Sequence, residues 1–458
     1  MKRREFLKML SAAGVSVAFA PHWIRAAEAA VDSYTGDLLI FINTQGGWDP
    51  LQFCDPKAEF RNFGNNAIAS AGNIRYARLS TNETGATYNY AFDFFDTFHD
   101  RMVVVNGINM QTNAHSAGIT NAFQGTFASG YPTLSAAFAG VKAPTLPMSY
   151  MVTGNYRSTG GLLPYTALSD ASLIEDLSLP NVTGAQLDNN LRITPTHGHR
   201  MPQDVFARVA EAQRARRRRL LEDSKAMPRW REMLQYFDSA VEGNDAVEAL
   251  GSIIPEEGFR DRDERGIPNE LVKQADIFLH SMAAGLTSAV DAEFSDQPFD
   301  THANHDRLQG ERLAELVYGI RFIHERAAEI DARLETNLAG RIVIVIVSDF
   351  GRTPIINSDG GTDHWPTTSA IVMRESFSTN GIGNRNVGFS DDEYRSGRIN
   401  PLTLERSETG IEITSAHIHD ALRRHLGIAG APQLGLVGLP IDEELALFNG
   451  AVQTPQAI

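Results

Sequence analysis

A run of six β-branched residues, Ile342 to Val347, is the clearest hydrophobic pattern in the chain. Because a strand exposed on one face would alternate apolar and polar residues, this unbroken run predicts a strand that is buried on both faces. Four chemically reactive residues follow it closely: Asp349, Arg352, Asp363 and His364. In open α/β sheets, ligands bind at the carboxyl ends of the strands, so these residues are candidates for a functional site. A single Asp in such a place is about as often a turn former or helix cap.

The same strand-then-loop plan recurs along the chain. Further strands are predicted within 37–56, at Met102 to Val105 and within 369–375. Helices are predicted from about His115 after a polar loop, over 305–338 where apolar residues recur at helical spacing, and over 414–430, which ends in glycine. Strands that alternate with helices favour a parallel sheet covered on both faces. We therefore predict an α/β fold with a doubly wound, mostly parallel sheet and helices on both faces.

The pattern weakens between about 150 and 300, which we interpret as a loop-rich and helical segment inserted into the sheet fold. Thr153 to Thr196 is rich in Gly, Ser, Thr and Pro, and 202–243 is predicted to be a long helix or a helix pair. The run Arg214 to Arg219 lies in that helix. It could bind an anionic partner, but charge runs on helices are usually solvated faces, and we favour that interpretation.

Composition places the chain among soluble globular proteins. It has 458 residues, 42% hydrophobic and 21% charged, with a formal net charge of −15. Nucleic-acid binding needs a basic surface, so we do not expect it here, whereas an acidic protein is compatible with bound cations. One large domain is expected over 30–450, followed by a short tail at 451–458.

The first residues are predicted to be an export signal and not part of the fold. Paired arginines at Arg3 and Arg4 precede an apolar run that leads to small residues at 27–29. Paired arginines are typical of the twin-arginine route, and small residues are what a signal peptidase requires. We therefore expect 1–29 to be removed after passage through the twin-arginine export machinery, leaving a periplasmic or secreted protein. A retained anchor is the alternative, but this run is short for a bilayer, and no other stretch approaches ~20 apolar residues.

Cys54 is the only cysteine of the sequence. The periplasm permits disulfides, but a single thiol cannot form one within the chain. A zinc site built on several cysteines is excluded for the same reason.

A second cluster of reactive residues precedes the helix predicted at 305–338. Asp300, His302 and His305 bring one carboxylate and two imidazoles within six residues. These donors suit zinc, manganese or iron in a site without thiolates. Asp300 or Thr301 could instead cap the helix, but capping has no use for two histidines.

A third cluster lies where the chain passes from a strand to a helix. His115 and Ser116 are placed where a nucleophile or an anion would meet the free N–H groups of a helix amino terminus. Ser116 could also be a simple cap. The histidine pairs at 197–199 and 417–419 are weaker signals.

Five short motifs resemble a known bacterial family. They are RREFLK at the start, QGGWD after the first strand, FDTH before a long helix, and SDFGRTPIIN and GGTDHW after the central strand. Together they resemble the family known only as domain of unknown function 1501 (DUF1501), which is similar in turn to the alkaline phosphatase and sulfatase superfamily. The resemblance implies one or two metals at the strand ends, an Asp, Ser, Thr or modified Cys nucleophile, and cleavage of phosphate or sulfate esters.

The resemblance also implies roles for single residues. The superfamily's metal acids and histidines are matched by Asp49, Asp300, His302, Asp349 and His364. Phe350 stands where the superfamily has a further metal-binding histidine. His115 falls at the nucleophile position, and because no Cys stands there, formylglycine sulfatase chemistry is not expected.

Our leading hypothesis is a periplasmic hydrolase that uses one or two divalent metals (Zn, Mn or Fe) on a phosphate or sulfate ester, either a small anionic molecule or an extracellular polymer. The candidate ligands are Asp49, Asp300, His302, His305, Asp349, Asp363 and His364. Arg352 would neutralise charge on the developing oxyanion, and His115 or Ser116 would be the nucleophile or its base.

Two other classes remain open. Phe350 and the absent Cys favour a catalytically degenerate relative that acts as a cell-surface binding or assembly factor. An oxidoreductase with a metal centre is a third possibility. A dinucleotide cofactor is not expected, because no Gly-x-Gly-x-x-Gly follows a strand.

Overall fold

The structure is a computed structural model that describes residues 34–61, 68–78, 90–167, 186–187, 193–194, 201–222, 258–294, 299–434 and 438–449. Its strands are β1 (Leu38–Thr44), β2 (Ile68–Ala71), β3 (Ile74–Ala77), β4 (Met102–Asn109), β5 (Tyr150–Val152), β6 (Thr166–Ala167), β7 (Gln186–Leu187), β8 (Ile193–Thr194), β9 (Ala289–Phe294), β10 (Ile342–Ser348), β11 (Gly351–Arg352), β12 (His364–Trp365), β13 (Thr367–Arg374), β14 (Arg385–Val387), β15 (Arg398–Ile399) and β16 (Ile411–Glu412). Its α-helices are α1 (Tyr90–Phe98), α2 (His115–Gln124), α3 (Leu134–Lys142), α4 (Gln203–Glu222), α5 (Glu270–Ala283), α6 (His305–Leu334), α7 (Phe377–Asn380) and α8 (Ser415–His425). Single turns of 3-10 helix lie at Pro50–Gln52, His99–Arg101, Ala339–Arg341 and Pro432–Leu434.

Eight strands form one large sheet in the order β14, β4, β13, β10, β1, β9, β5, β6. Neighbouring strands run parallel except at β13, which is antiparallel to both β10 and β4. The predicted mostly parallel sheet is therefore confirmed. Because β13 is reversed, its amino end lies at the same edge of the sheet as the carboxyl ends of β1, β9 and β10.

Alternate residues of the central strands face two separate cores. The isoleucines of β10 pack with side chains of α1, α5 and α6 on one face of the sheet. Its valines pack with side chains of α2, α3 and α8 on the other face. Both faces are covered, which explains why the run from Ile342 to Val347 contains no polar residue. The prediction of helices on both faces is confirmed.

The individual elements lie close to their predicted positions. The helix α2 begins at His115, and the predicted strand within 369–375 is β13. The segment between 150 and 300, which the sequence pattern left without strands, contributes β5, β6 and β9 to the large sheet. Arg214 and Arg219 lie on α4, where Arg219 is exposed and Arg214 partly exposed.

Some expectations concern parts of the chain outside the described residues, namely the export signal at 1–29, the histidines at 197–199 and the tail at 451–458. Among the helices of the described ranges, none combines the length and the apolar character that a membrane span requires.

His324 of α6 is an imidazole whose protonation makes the stability of the fold depend on pH. Its ring stacks on Phe98 at a centroid distance of 4.8 Å. Burial, with the nearby charge of Arg101, lowers the pKa of His324 to about 4. Below about pH 6.5 the unfolded chain binds a proton on this imidazole that the folded chain does not bind. The stability that the neutral ring contributes is therefore complete above pH 6.5 and is lost as the pH falls toward 4.

The variant His324→Phe should keep the stacked ring and remove this titration. Between pH 6.5 and 5, we expect the free energy of unfolding of the wild type to fall more steeply than that of the variant, by up to about 1.4 kcal/mol per pH unit. Urea denaturation at several pH values measures both slopes. His99→Phe, at a partly exposed histidine, is the control and should keep the wild-type slope. Equal slopes in wild type and His324→Phe would contradict the prediction.

Candidate metal centre

Segments from four strands meet at one edge of the sheet. Asp349 follows β10, Asp300 follows β9 in the chain, and His115 follows β4 at the start of α2. His364 lies on β12, just before the reversed strand β13, and pairs with Arg352 of β11. The reversal of β13 is therefore what brings His364 to the edge where the parallel strands end.

Three imidazole rings converge on the carboxylate of Asp300. His302 Nε2 and His364 Nε2 each lie 3.0 Å from Asp300 Oδ1, and His115 Nε2 lies 3.3 Å from Asp300 Oδ2. The Nε2 atoms of His302 and His364 are 3.2 Å apart. Donor atoms of His115, Asp300 and His364 all lie within 4.8 Å of one another. We call these four residues the metal cluster.

The second nitrogen of each imidazole has an oxygen acceptor of its own. His115 Nδ1 lies 3.0 Å from Asp349 Oδ2, and His302 Nδ1 lies 3.1 Å from Asp363 Oδ1. His364 Nδ1 lies 2.7 Å from the carbonyl oxygen of Asn113. A carbonyl or an ionised carboxylate can only accept, so in the neutral rings Nδ1 donates and Nε2 carries the lone pair. All three unprotonated Nε2 atoms then lie within 3.3 Å of an Asp300 oxygen.

This arrangement requires a positive charge. Lone pairs of two imidazoles that face each other and a carboxylate repel unless a shared proton or a metal ion lies between them. Carboxylate and imidazole together suit zinc, manganese or iron. Metal-binding histidines regularly donate their other N–H to a carboxylate or a backbone carbonyl, as all three do here. The residues present therefore fit a divalent metal.

Charge and exposure are also those of a cation site. Burial raises the pKa of Asp300, but the hydrogen bond and the charge of Arg352 outweigh it and bring this pKa down to about 2. Hydrogen bonding to Asp349 raises the pKa of His115, although burial opposes it. The side chains of His302 and His115 are 50% and 38% exposed, so a small ligand can reach the cluster from solvent.

The position of Arg352 differs from our prediction. Its side chain is fully buried and donates to the carbonyls of Gly46, Gly47 and Thr362. It also donates to Asp300 Oδ1 at 2.5 Å. A guanidinium that is covered in this way does not face a substrate oxyanion. Arg352 instead fixes the position of Asp300 and keeps it ionised.

Asp49 and His305, which we predicted as ligands, form a separate network below the cluster. Both side chains are fully buried, with His305 Nε2 2.8 Å from Asp49 Oδ2. Asp49 also accepts from Arg61, and this charge and the bond from His305 lower the pKa of Asp49 although burial raises it. His305 Nδ1 is already engaged by the hydroxyls of Thr301 and Thr362. Neither residue therefore has a donor atom free for a metal.

Asp349 and Asp363, also predicted as ligands, support the histidines. Asp349 is fully buried and accepts from the Gly46 N–H as well as from His115. Asp363 is an exposed carboxylate that bonds His302. Phe350 packs beside the cluster, with its ring centroid 4.3 Å from that of His364. These three residues hold the imidazole rings in place.

The turn after β1 is possible only with glycine. Gly46 and Gly47 have φ angles of +106° and +86°, a region that other residues rarely adopt. A Cβ on Gly46 would lie 2.6 Å from the backbone nitrogen of Asp300. The carbonyls of the same two residues accept hydrogen bonds from Arg352, so this turn helps to fix the position of Arg352 beside the site.

The remaining candidates have different positions. Ser116 is exposed in the first turn of α2 and does not cap it, because Ala114 is the N-cap residue. His417 belongs to the capping box of α8, and His419 is buried against the Ala122 carbonyl. Within the described chain, neither belongs to the group His115, Asp300 and His364, whose donor atoms lie close enough together to hold a metal ion.

Three contributions to this site are not predicted by the sequence pattern. The carbonyl of Asn113 orients His364, Arg61 neutralises Asp49, and the hydroxyl of Thr362 holds His305. A backbone carbonyl carries no signal in a sequence. Asn113 does, however, lie two residues before the candidate ligand His115 in the sequence.

The role of Asp349 can be tested with Asp349→Asn, which keeps the shape of the side chain and removes its charge. We expect zinc affinity to fall about 10- to 100-fold, because the carboxylate orients His115. Competition with a chromophoric chelator measures this affinity. Asp55→Asn is a matched control, because Asp55 is a carboxylate bonded to Ser390 and not to the cluster. An equal loss in both variants would show that the effect is not specific to the site.

The chain is similar to several solved structures at low sequence identity. The lipoteichoic acid synthase LtaP from Listeria monocytogenes is 11% identical with a TM-score of 0.31, over 93% of this chain and 78% of that one. A magnesium-bound mutant of TAB5 alkaline phosphatase is 10% identical with a TM-score of 0.29, over 75% and 91%. The phosphonate monoester hydrolase of Agrobacterium radiobacter is 12% identical with a TM-score of 0.28, over 85% and 74%. No residue role follows from likeness at this level.

A family model supports the resemblance seen in the motifs. No curated protein matches the chain. Residues 264–374 match the model described as "Protein of unknown function (DUF1501)". This segment includes Asp300, His302 and His364 of the metal cluster but not His115. The predicted resemblance to the DUF1501 family is confirmed over residues 264–374, and the export signal stays a prediction.

Proposed function

We propose that this protein is a divalent-metal hydrolase that cleaves phosphate or sulfate esters. The observation that carries the proposal is the convergence of three imidazole Nε2 atoms on Asp300, each with its Nδ1 held by another oxygen. The same cluster is open to solvent and lies where parallel strands end, the usual place for ligands in such sheets. His115, Asp300, His302 and His364 would hold the metal.

A bound divalent metal would polarise an oxygen of the ester and lower the pKa of a bound water. The chain itself adds a second anion-binding element. The first N–H groups of a helix have no partner within the helix and attract anions. Since α2 begins at His115, these N–H groups adjoin the metal cluster. A phosphate or sulfate group would be bound between the cluster and the first turn of α2.

Ser116 is our candidate nucleophile. Its exposed hydroxyl lies in the first turn of α2, one residue after His115. Negative charge that develops there is stabilised by the helix amino terminus. His115 is held by Asp349 and faces Asp300, so it is assigned to the metal. The proton of the exposed Ser116 hydroxyl would pass to solvent water as the ester bond breaks, and the leaving alcohol would take up a proton from water.

A second candidate function is a binding or assembly factor that keeps the metal but has no activity. The buried Phe350 favours it, because its ring fills the side of the cluster between His115 and His364, leaving less room for further ligands. The two candidates agree on metal binding and differ only in turnover.

Elemental analysis of the mature protein, purified without a His-tag, tests the shared part. We expect about one equivalent of zinc, manganese or iron in the wild type and a strong loss in both His302→Ala and His364→Ala. His99→Ala is the control, because His99 lies at the opposite edge of the sheet, before β4. If folded His302→Ala keeps the metal content of the wild type, His302 is not a metal ligand.

Turnover of aryl phosphates and aryl sulfates by the metal-loaded protein separates the candidates. We expect hydrolysis by the wild type, and in Ser116→Ala a loss of at least about 100-fold in kcat with unchanged metal content. A protein that binds metal and hydrolyses no ester of either class would support the binding factor.

Export through the twin-arginine route is also a proposal. It rests on Arg3 and Arg4 before the apolar run. Replacing both arginines by lysine should leave the precursor inside the cytoplasm, as measured by cell fractionation and immunoblotting. A periplasmic product of unchanged amount from the Lys-Lys variant would contradict this route.

A further inference from the structure

Two adjacent isoleucines are exposed near the metal cluster. Ile355 is 75% exposed and Ile356 is 39% exposed. Among the exposed large hydrophobic residues of the described chain, these are the two that are neighbours in sequence. Single exposed apolar residues are ordinary, but an adjacent pair beside a candidate site is a feature that a ligand can use.

The loop that carries the pair is held by hydrogen bonds at its base. The Thr353 N–H donates to the Asp363 carbonyl at 2.9 Å, and the Asp363 N–H donates to Thr353 Oγ1 at 3.0 Å. The buried Arg61 donates to the carbonyls of Thr353 and Pro354. The isoleucines are therefore presented by a defined backbone, and a ligand that covers them needs little further ordering of the protein.

The same loop is bonded to the metal cluster. Asn357, the residue after Ile356, donates from Nδ2 to the His302 carbonyl at 3.1 Å. Asp363, paired with Thr353 across the base of the loop, bonds the His302 ring. Ile355 is two residues from Thr353, and two residues span at most about 7 Å. The isoleucines therefore lie on a loop that is bonded both to the backbone and to the ring of His302.

The size of the apolar surface indicates the kind of occupant. A stable protein interface buries at least about 1,200 Å² in total, far more than two side chains supply. A hydrocarbon or aromatic group of a small molecule needs only a few side chains. The pair therefore fits the apolar part of a molecule whose anionic group lies at the cluster.

On this basis we infer that Ile355 and Ile356 form an apolar subsite that selects amphiphilic substrates, in which the anionic ester is joined to an alkyl or aryl group. The inference rests on the proposed function and extends it to substrate class. No covalent step is involved, because the isoleucines act only by removing apolar surface of the ligand from water.

Non-hydrolysable alkylphosphonates test the subsite directly. The probes are methyl-, butyl- and octylphosphonate, titrated into metal-loaded protein by isothermal titration calorimetry, with the matching alkylsulfonates as a parallel series. We expect the wild type to bind the octyl compound at least about tenfold more tightly than the methyl compound. In the double variant Ile355→Ser, Ile356→Ser this ratio should fall to about threefold or less, with methylphosphonate binding unchanged.

Two further variants test whether the effect is specific to the isoleucines. Ile355→Ser alone changes a side chain that is 75% exposed, so it leaves the packing of the loop intact and should show part of the loss. Leu402→Ser is the matched control, because Leu402 is 74% exposed on another loop, and it should keep the wild-type ratio. An unchanged ratio in the double variant, or an equal loss in Leu402→Ser, would overturn the subsite.

The experiment separates this inference from the proposed function. Methylphosphonate binding that is lost in His364→Ala reports on the metal cluster alone. If the octyl compound still binds tightly to His364→Ala, and this binding depends on the isoleucines, the isoleucines bind apolar groups independently of the metal cluster. That result would overturn a substrate subsite, whatever methylphosphonate shows about the metal. A wild type that is dimeric by light scattering and becomes monomeric in the double variant would likewise overturn it, in favour of contact with a second copy.

Discussion

The buried guanidinium of Arg352 is the contact on which the geometry of the site depends. It donates to the carbonyls of Gly46 and Gly47 after β1, to Thr362 before β12, and to the carboxylate of Asp300. A charge that is removed from water is costly unless its donors are bonded and its charge is balanced. These three segments must therefore keep their relative positions, and the same restraint holds Asp300 among the imidazoles.

A second buried ion pair, Asp49 with Arg61, lies next to this arrangement and stabilises the fold without taking part in the candidate metal site. Asp49 is balanced by Arg61 and bonded by His305, which in turn is held by Thr301 and Thr362. Removing one partner of such a pair leaves an unbalanced buried charge, at a cost of about 3–5 kcal/mol. The network of Asp49, Arg61 and His305 therefore serves the stability of the fold. The cluster above it is partly exposed, and its Nε2 atoms are free to exchange a proton for a metal.

The sequence predicts the fold better than it predicts the site. The unbroken run from Ile342 to Val347 predicts a strand covered on both faces, because burial on both sides leaves no polar position. The helix that begins at His115 could be predicted from the polar loop before it. The reversed direction of β13 could not, since a buried strand has the same apolar composition in either direction. That reversal decides where His364 lies, so a correct list of strands still leaves the cluster undetermined.

His302 and His305 show why residue type and spacing do not assign roles here. They lie three residues apart, next to the same Asp300, and the sequence offers both as ligands. In the structure the backbone N–H of His305 donates to the Gly360 carbonyl and the His305 ring is fully buried, whereas the His302 ring is half exposed. Both rings bond residues of a loop more than fifty residues away, Thr362 for His305 and Asp363 for His302, and no local pattern encodes which of these tertiary contacts buries its ring. What distinguishes a candidate ligand is a lone pair left over after every hydrogen bond has been assigned, and by that criterion His302 remains available to a metal while His305 does not.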